Sequence, residues 1–102
     1  MIVDDHEEIR TWVARLARSW GHTVAVASDG PSALSLAQTF QPECALVDIS
    51  LPGMNGIDLA RRLRERFPRE RLYLIALTGY AAADIREGCI AAGFDTHVVK
   101  PG

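Results

Sequence analysis

Little in this chain ties it to a membrane, an oxidising compartment or a nucleic acid. Its 102 residues contain no apolar run near the roughly 20 residues needed to cross a bilayer. The opening MIVDDHEEIR turns acidic within a few residues and lacks the basic-then-apolar order of a secretory leader, so the expected location is the cytoplasm. There are only two cysteines, Cys44 and Cys89, far apart and in apolar contexts. They are expected to be buried thiols in a reducing compartment, not a disulfide or a metal pair. A net charge of −2 excludes the basic balance of a general nucleic-acid surface. One segment departs from this, RRLRERFPRER from Arg61 to Arg71, with six arginines against two glutamates. The plain reading is a solvated helix face whose arginines suit the negative end of the helix dipole. Repeats, linkers and low-complexity tracts are also lacking, and the length suits one domain.

What the sequence does have is alternation. Met1 to Val3 is a short apolar run. From His6 to Trp20, the residues Ile9, Trp12, Val13, Leu16 and Trp20 fall three or four apart, which predicts a helix. Asp5 is placed to cap its start and Gly21 to end it. Thr23 to Ala27 reads as a strand, and Ser28-Asp29-Gly30-Pro31 opens a second helix to about Phe40. Cys44 to Asp48 is an apolar strand ending in a carboxylate. A loop, Leu51 to Gly56, leads into a third helix with Leu59, Ala60 and Leu63 inward, stopped by Pro68. Leu72 to Leu77, ending at Thr78, is the fourth strand; a helix from Ala82 to Ala92 follows, closed by Gly93; His97 to Val99 is the fifth strand, ending at Lys100-Pro101. Strict strand–helix alternation requires crossover connections, hence a parallel sheet covered on both faces: an α/β sandwich.

Ligands of open parallel sheets bind at the carboxyl ends of the strands. Those ends carry Asp4-Asp5, Asp48, Thr78 and Lys100. Taken singly, each has an ordinary explanation as a cap, a turn residue or a solvated charge. Their coincidence at one edge is what carries meaning. Three carboxylates brought together repel unless a cation intervenes, and a hard cation with oxygen ligands such as Mg²⁺ resolves the conflict. A carboxylate such as Asp48 can then attack phosphorus, while Lys100 and Thr78 supply a charge and a donor to the phosphoryl oxygens.

Here the sequence resembles the receiver domains of bacterial response regulators and hybrid histidine kinases. The resemblance spans nearly the whole chain. It is carried by Val3-Asp4-Asp5, by Leu46 through Gly56 (LVDISLPGMNG), by Ala76-Leu77-Thr78-Gly79 and by Lys100-Pro101. It implies a flavodoxin-like doubly wound five-stranded sheet of order 2-1-3-4-5. It also implies that Asp48 accepts a phosphoryl group and that Asp4, Asp5, Asp48 and the Ser50 carbonyl hold Mg²⁺ or Mn²⁺. Thr78 and Lys100 would contact the phosphoryl group, with a cis bond between Lys100 and Pro101. The donor would be a histidine kinase or a histidine phosphotransfer domain, with no membrane and no direct nucleic-acid contact by this domain, and a homodimer is left open. The family's switch moves the threonine and turns an aromatic residue inward; that aromatic position is His97 here, a departure. Ser50 and Tyr80 stand at the two variable positions that bear on dephosphorylation. His6 and His22 are expected to be surface residues.

Three other readings compete. An enzyme turning over through an aspartyl phosphate usually has a second carboxylate two residues after its nucleophile, where this chain has Ser50. A degenerate receiver acting as a phosphorylation-independent binding module would lack one of Asp48, Thr78 or Lys100, and all three are present. A redox flavodoxin-like protein would need a neutral phosphate-binding loop where Asp4-Asp5-His6-Glu7-Glu8 stands. The expectation is therefore a self-phosphorylating and self-dephosphorylating switch, not a turnover enzyme. Residues 1–102 are expected to form one receiver domain truncated at its C-terminus, where a fifth helix would cover one end of the sheet, and by a few residues at its N-terminus.

Overall fold

The computed structural model describes residues 1–79 and 83–99, without the side chains of 83–86. Its elements are β1 (Ile2–Val3), α1 (Glu7–Ser19), β2 (Val26–Ala27), α2 (Gly30–Phe40), β3 (Cys44–Asp48), α3 (Gly56–Arg66), β4 (Tyr73–Thr78), α4 (Ala83–Ala92) and β5 (Thr96–Val99). All strand pairs are parallel, in the order β2-β1-β3-β4-β5.

The order determines where the helices go. From β1 the chain steps one way to β2, then reverses and fills β3, β4 and β5 on the other side. Right-handed crossovers then place α1 on one face of the sheet and α2, α3 and α4 on the other. Consistent with this, α2 packs on α3 and α3 on α4, while α1 packs on β1. The core between the layers is made by Val3, Val47, Leu74 and Ala76 from the strands, with Ala33, Ala37, Leu59, Leu63 and Phe94 from the helices and loops.

Local signals explain most boundaries. Asp29 caps α2 by accepting from the Ser32 N–H at 2.8 Å, with Pro31 in the first turn. Asn55 caps α3 through the Asp58 N–H at 2.9 Å. Gly21 and Gly93 take the positive φ, +88° and +112°, that ends α1 and α4.

Some expectations are corrected. The cap of α1 is His6, without a side-chain cap bond; Asp5 stands one residue before the cap, because the helix starts only at Glu7. β2 is confined to Val26–Ala27, since the backbone pairs with β1 only there. Cys44 is exposed because it opens β3 at the rim of the sheet, whereas Cys89 is buried. The helix in α1 forms as predicted, but only Ala14 of it is buried; Trp12, Leu16 and Trp20 are exposed. The edge strand β5 is likewise largely exposed, not buried on both faces. Within Arg61 to Arg71, Arg64 is not a solvated charge. It reaches back to Gly93, Leu72 and Asp95 and ties α3 to the two following strands.

Candidate functional site

The reversal of strand order lies between β1 and β3, and parallel sheets bind ligands at the carboxyl ends of the strands flanking such a switch point. Asp4 follows β1, Asp48 ends β3 and Thr78 ends β4. All three side chains are essentially fully buried, which is rare for carboxylates outside a site that uses them. The register explains how they converge. Val3 lies beside Val47, so the next residue of each strand, Asp4 and Asp48, emerges at the same level; Asp48 lies beside Leu77, one residue before Thr78.

Hydrogen bonds hold the carboxylates in place. Asp4 accepts from the His6 N–H at 2.9 Å, and its own N–H donates to the Ala27 carbonyl at 3.1 Å. The Arg10 guanidinium donates to the Asp4 carbonyl at 2.8 Å. Asp48 accepts from the Ser50 N–H at 2.9 Å, so the chain folds over the end of β3. Gly56 packs against that turn. A Cβ there would meet the Asp48 carbonyl oxygen and lie 2.6 Å from the Ile49 Cα, so only glycine allows the loop to close on the site.

Ligand atoms from Asp4, Asp5, His6 and Asp48 all lie within 4.8 Å of one another. Three are hard carboxylate donors, and a divalent cation would relieve the repulsion of anions so close. The residues present therefore fit such an ion. His6 was the residue missed from sequence: its ring is exposed as expected, yet Nδ1 lies 2.9 Å from Asp4 Oδ1 and 3.3 Å from Asp5 Oδ1. Adjacency to two aspartates was the only available signal, and it said nothing of where the ring would point. Lys100 and its bond to Pro101, with Tyr80, lie outside the described residues. His97 sits half-buried on β5 beside Ala76 of β4 and lines a small pocket of about 130 Å³ with Cys89, Ile90 and Phe94.

The sequence profile of the response regulator receiver domain matches residues 1–102. The chain belongs to that family. Curated relatives of this receiver domain include an uncharacterised 14.6 kDa protein of Leptolyngbya boryana, 34% identical over 99% of this chain and 77% of its own length. Another is the DNA-binding response regulator MtrA of Mycolicibacterium smegmatis, 35% identical over 99% of this chain. This receiver spans only 43% of that regulator. Among solved structures, the Vibrio cholerae chemotaxis protein CheY4 superposes with a TM-score of 0.92 at 27% identity, covering 99% of this chain and 84% of that one. The protein is thus a receiver domain of two-component signalling, and its cluster of Asp4, Asp5 and Asp48 is typical of the divalent-metal site of such domains. Among the described residues, no helix is long and apolar enough to cross a membrane.

Proposed function

We propose that the domain is a cytoplasmic phospho-accepting switch in which Asp48 takes a phosphoryl group from the phosphohistidine of a histidine kinase or a histidine phosphotransfer domain. The supporting observation is the placement of Asp48, buried at the end of β3 with a carboxylate oxygen within 4.8 Å of donors from Asp4 and Asp5. A carboxylate oxygen of Asp48 attacks phosphorus, the P–N bond breaks, and the imidazole leaves with the electron pair; the product is an acyl phosphate on Asp48. Asp4, Asp5, Asp48 and the Ser50 carbonyl would hold Mg²⁺ or Mn²⁺. When bound, the ion neutralises charge developing on the phosphoryl oxygens. The Ser50 N–H, 2.9 Å from Asp48, orients the carboxylate. The Thr78 hydroxyl donates to one phosphoryl oxygen, and Lys100 supplies a positive charge to another.

Phosphorylation then draws Thr78 inward and shifts a two-state equilibrium of the face formed by α4 and β5. His97 occupies the place of the usual aromatic residue. The domain promotes its own phosphorylation and hydrolysis and releases no transformed substrate, so it is a switch and not a turnover enzyme. Residues 1–102 make the receiver, and the exposed stripe of Trp12, Leu16 and Trp20 on α1 supports a further helix after Gly102 that covers it.

Incubation with Mg²⁺ and acetyl phosphate, followed by intact mass, tests the reading. One added phosphoryl group in the wild type, absent in Asp48→Asn and after EDTA, is the expected result. Beryllofluoride titration followed by NMR covers the case of rapid hydrolysis. No response in either measurement would leave a receiver fold acting as a phosphorylation-independent binding module.

A further inference from the structure

The cation site has a neighbour that the phosphoryl chemistry does not use. His6 is the residue between the end of β1 and α1, with φ −86° and ψ 110°, and its side chain makes no cap bond to the helix. The ring instead turns back over the carboxylates. Its Nδ1 lies 2.9 Å from Asp4 Oδ1 and 3.3 Å from Asp5 Oδ1, while its backbone N–H fixes the same Asp4 oxygen at 2.9 Å. The ring itself is 61% exposed, so it can tilt by small amounts without disturbing the core.

These separations suit coordination as well as hydrogen bonding. In an octahedral shell with bonds of about 2.1 Å, adjacent donors stand about 3 Å apart. The Nδ1 atom is therefore spaced from the two carboxylate oxygens as a neighbouring donor of one shell would be. The other donors of the cluster are oxygens, and imidazole changes the chemistry of the set. Nitrogen is a weak ligand for Mg²⁺ and a good one for later first-row ions, whose affinities rise from Mn²⁺ toward Ni²⁺ and Cu²⁺.

We propose that His6 is a metal-selecting ligand: its Nδ1 joins Asp4, Asp5 and Asp48 around a bound cation and biases the site toward Co²⁺ and Ni²⁺ relative to Mg²⁺. The inference rests on the reading of those three carboxylates as the cation site, and it adds a selectivity that the carboxylates alone do not have. The competing physical account makes His6 a proton-bearing partner of Asp4 and Asp5 that every cation must displace. The two accounts differ in sign. A displaced partner hinders all cations alike, whereas a ligand favours only those that accept nitrogen.

The test is the dissociation constant of Co²⁺ and of Mg²⁺ for the wild type, His6→Ala and His6→Gln, each confirmed folded by circular dichroism. Co²⁺ is read by the paramagnetic shifts of the Asp48 and Ile49 amides and by its displacement with Mg²⁺, so that ions on His22 or His97 are not counted. The expected result is that His6→Ala weakens Co²⁺ by about tenfold or more, as loss of a metal's supporting group commonly does. Mg²⁺ should stay within about twofold in the same variant, where removing a nitrogen donor leaves an oxygen site intact. Equal changes for both ions, or none, would overturn the proposal; tighter binding of both would identify His6 as the displaced partner instead. If Asp5→Asn and Asp48→Asn leave both constants unchanged, the cation-site reading itself fails and the selectivity falls with it.

Discussion

Replacing Arg64 with leucine should cost this domain a large part of its stability. The side chain leaves α3 with only 13% of its surface exposed and meets four acceptors. Nε donates to the Gly93 carbonyl at 2.8 Å, Nη1 to Leu72 at 2.6 Å and more weakly to Phe67 at 3.3 Å, and Nη2 to Asp95 Oδ2 at 2.6 Å. Asp95 in turn accepts from the Leu74 N–H at 2.8 Å. One guanidinium thus joins α3, the start of β4 and the turn before β5. Hydrogen bonds to a charged group contribute about 1.5–3 kcal/mol each, but they share one side chain and are not additive. The better guide is the cost of removing one partner from a largely buried pair, about 3–5 kcal/mol. For a domain of this size that lowers Tm by more than about 12 °C, at roughly 4 °C or more per kcal/mol. Urea unfolding followed by far-UV circular dichroism measures it, and a double-mutant cycle with Asp95→Asn isolates the pair. A loss below about 1 kcal/mol for Arg64→Leu is the value of an exposed ion pair, and it would refute the assignment of Arg64 as a buried clamp.

Gly56→Ala should destabilise the domain by about 1–3 kcal/mol, because the added Cβ meets the backbone of Asp48 and Ile49. It should also slow acetyl phosphate labelling at saturating Mg²⁺ more than a surface glycine change such as Gly88→Ala; equal labelling rates would mean that the loop does not set the position of Asp48. Of the two thiols, Cys44 should react with Ellman's reagent in the native protein and Cys89 only in urea, since one is exposed and the other buried. Although the residue is exposed, partial shielding of its sulfur from water pushes the Cys44 thiol up, and the native reaction should accelerate as pH rises past the usual thiol range; two reactive thiols before unfolding would contradict the packing of Cys89. The hydrogen bond from the Ser32 N–H holds the Asp29 carboxyl below its ordinary 3.8. A depressed acid stabilises the fold above its unfolded value and loses that contribution as pH falls through the folded one. Asp29→Ala should therefore lower the urea midpoint at neutral pH and approach the wild type well below pH 3.8, and a gap that persists in acid would argue against the cap.

Much of the architecture is a local property. The order of strands and helices follows from apolar runs broken at Asp29-Gly30-Pro31, at Pro52-Gly53 and at Pro68, and from glycines that alone tolerate the left-handed turns after α1 and α4. Because a parallel sheet binds at the carboxyl ends of its strands, the same reading placed Asp4, Asp5, Asp48 and Thr78 at one edge. Burial could not be read in this way. The spacing of Trp12, Leu16 and Trp20 marks a helix face, but whether that face is covered depends on which elements lie across the sheet, and on the described structure α1 leaves it exposed. Cys44 looks like a core residue among apolar neighbours and is exposed because it opens its strand at the rim.

Contacts between distant segments were settled only by the tertiary structure. Asp4 and Asp48 are 44 residues apart in the chain, and parallel register beside the β1–β3 switch point brings them to one level. Arg64 and Asp95 meet across 31 residues because the Arg64 side chain reaches from α3 to the turn before β5. The direction of the His6 ring follows from the bend of the chain between β1 and α1, where the His6 N–H donates to Asp4. Residue types and their period thus determine what each segment becomes, and which groups share a site is decided by how the sheet orders its strands.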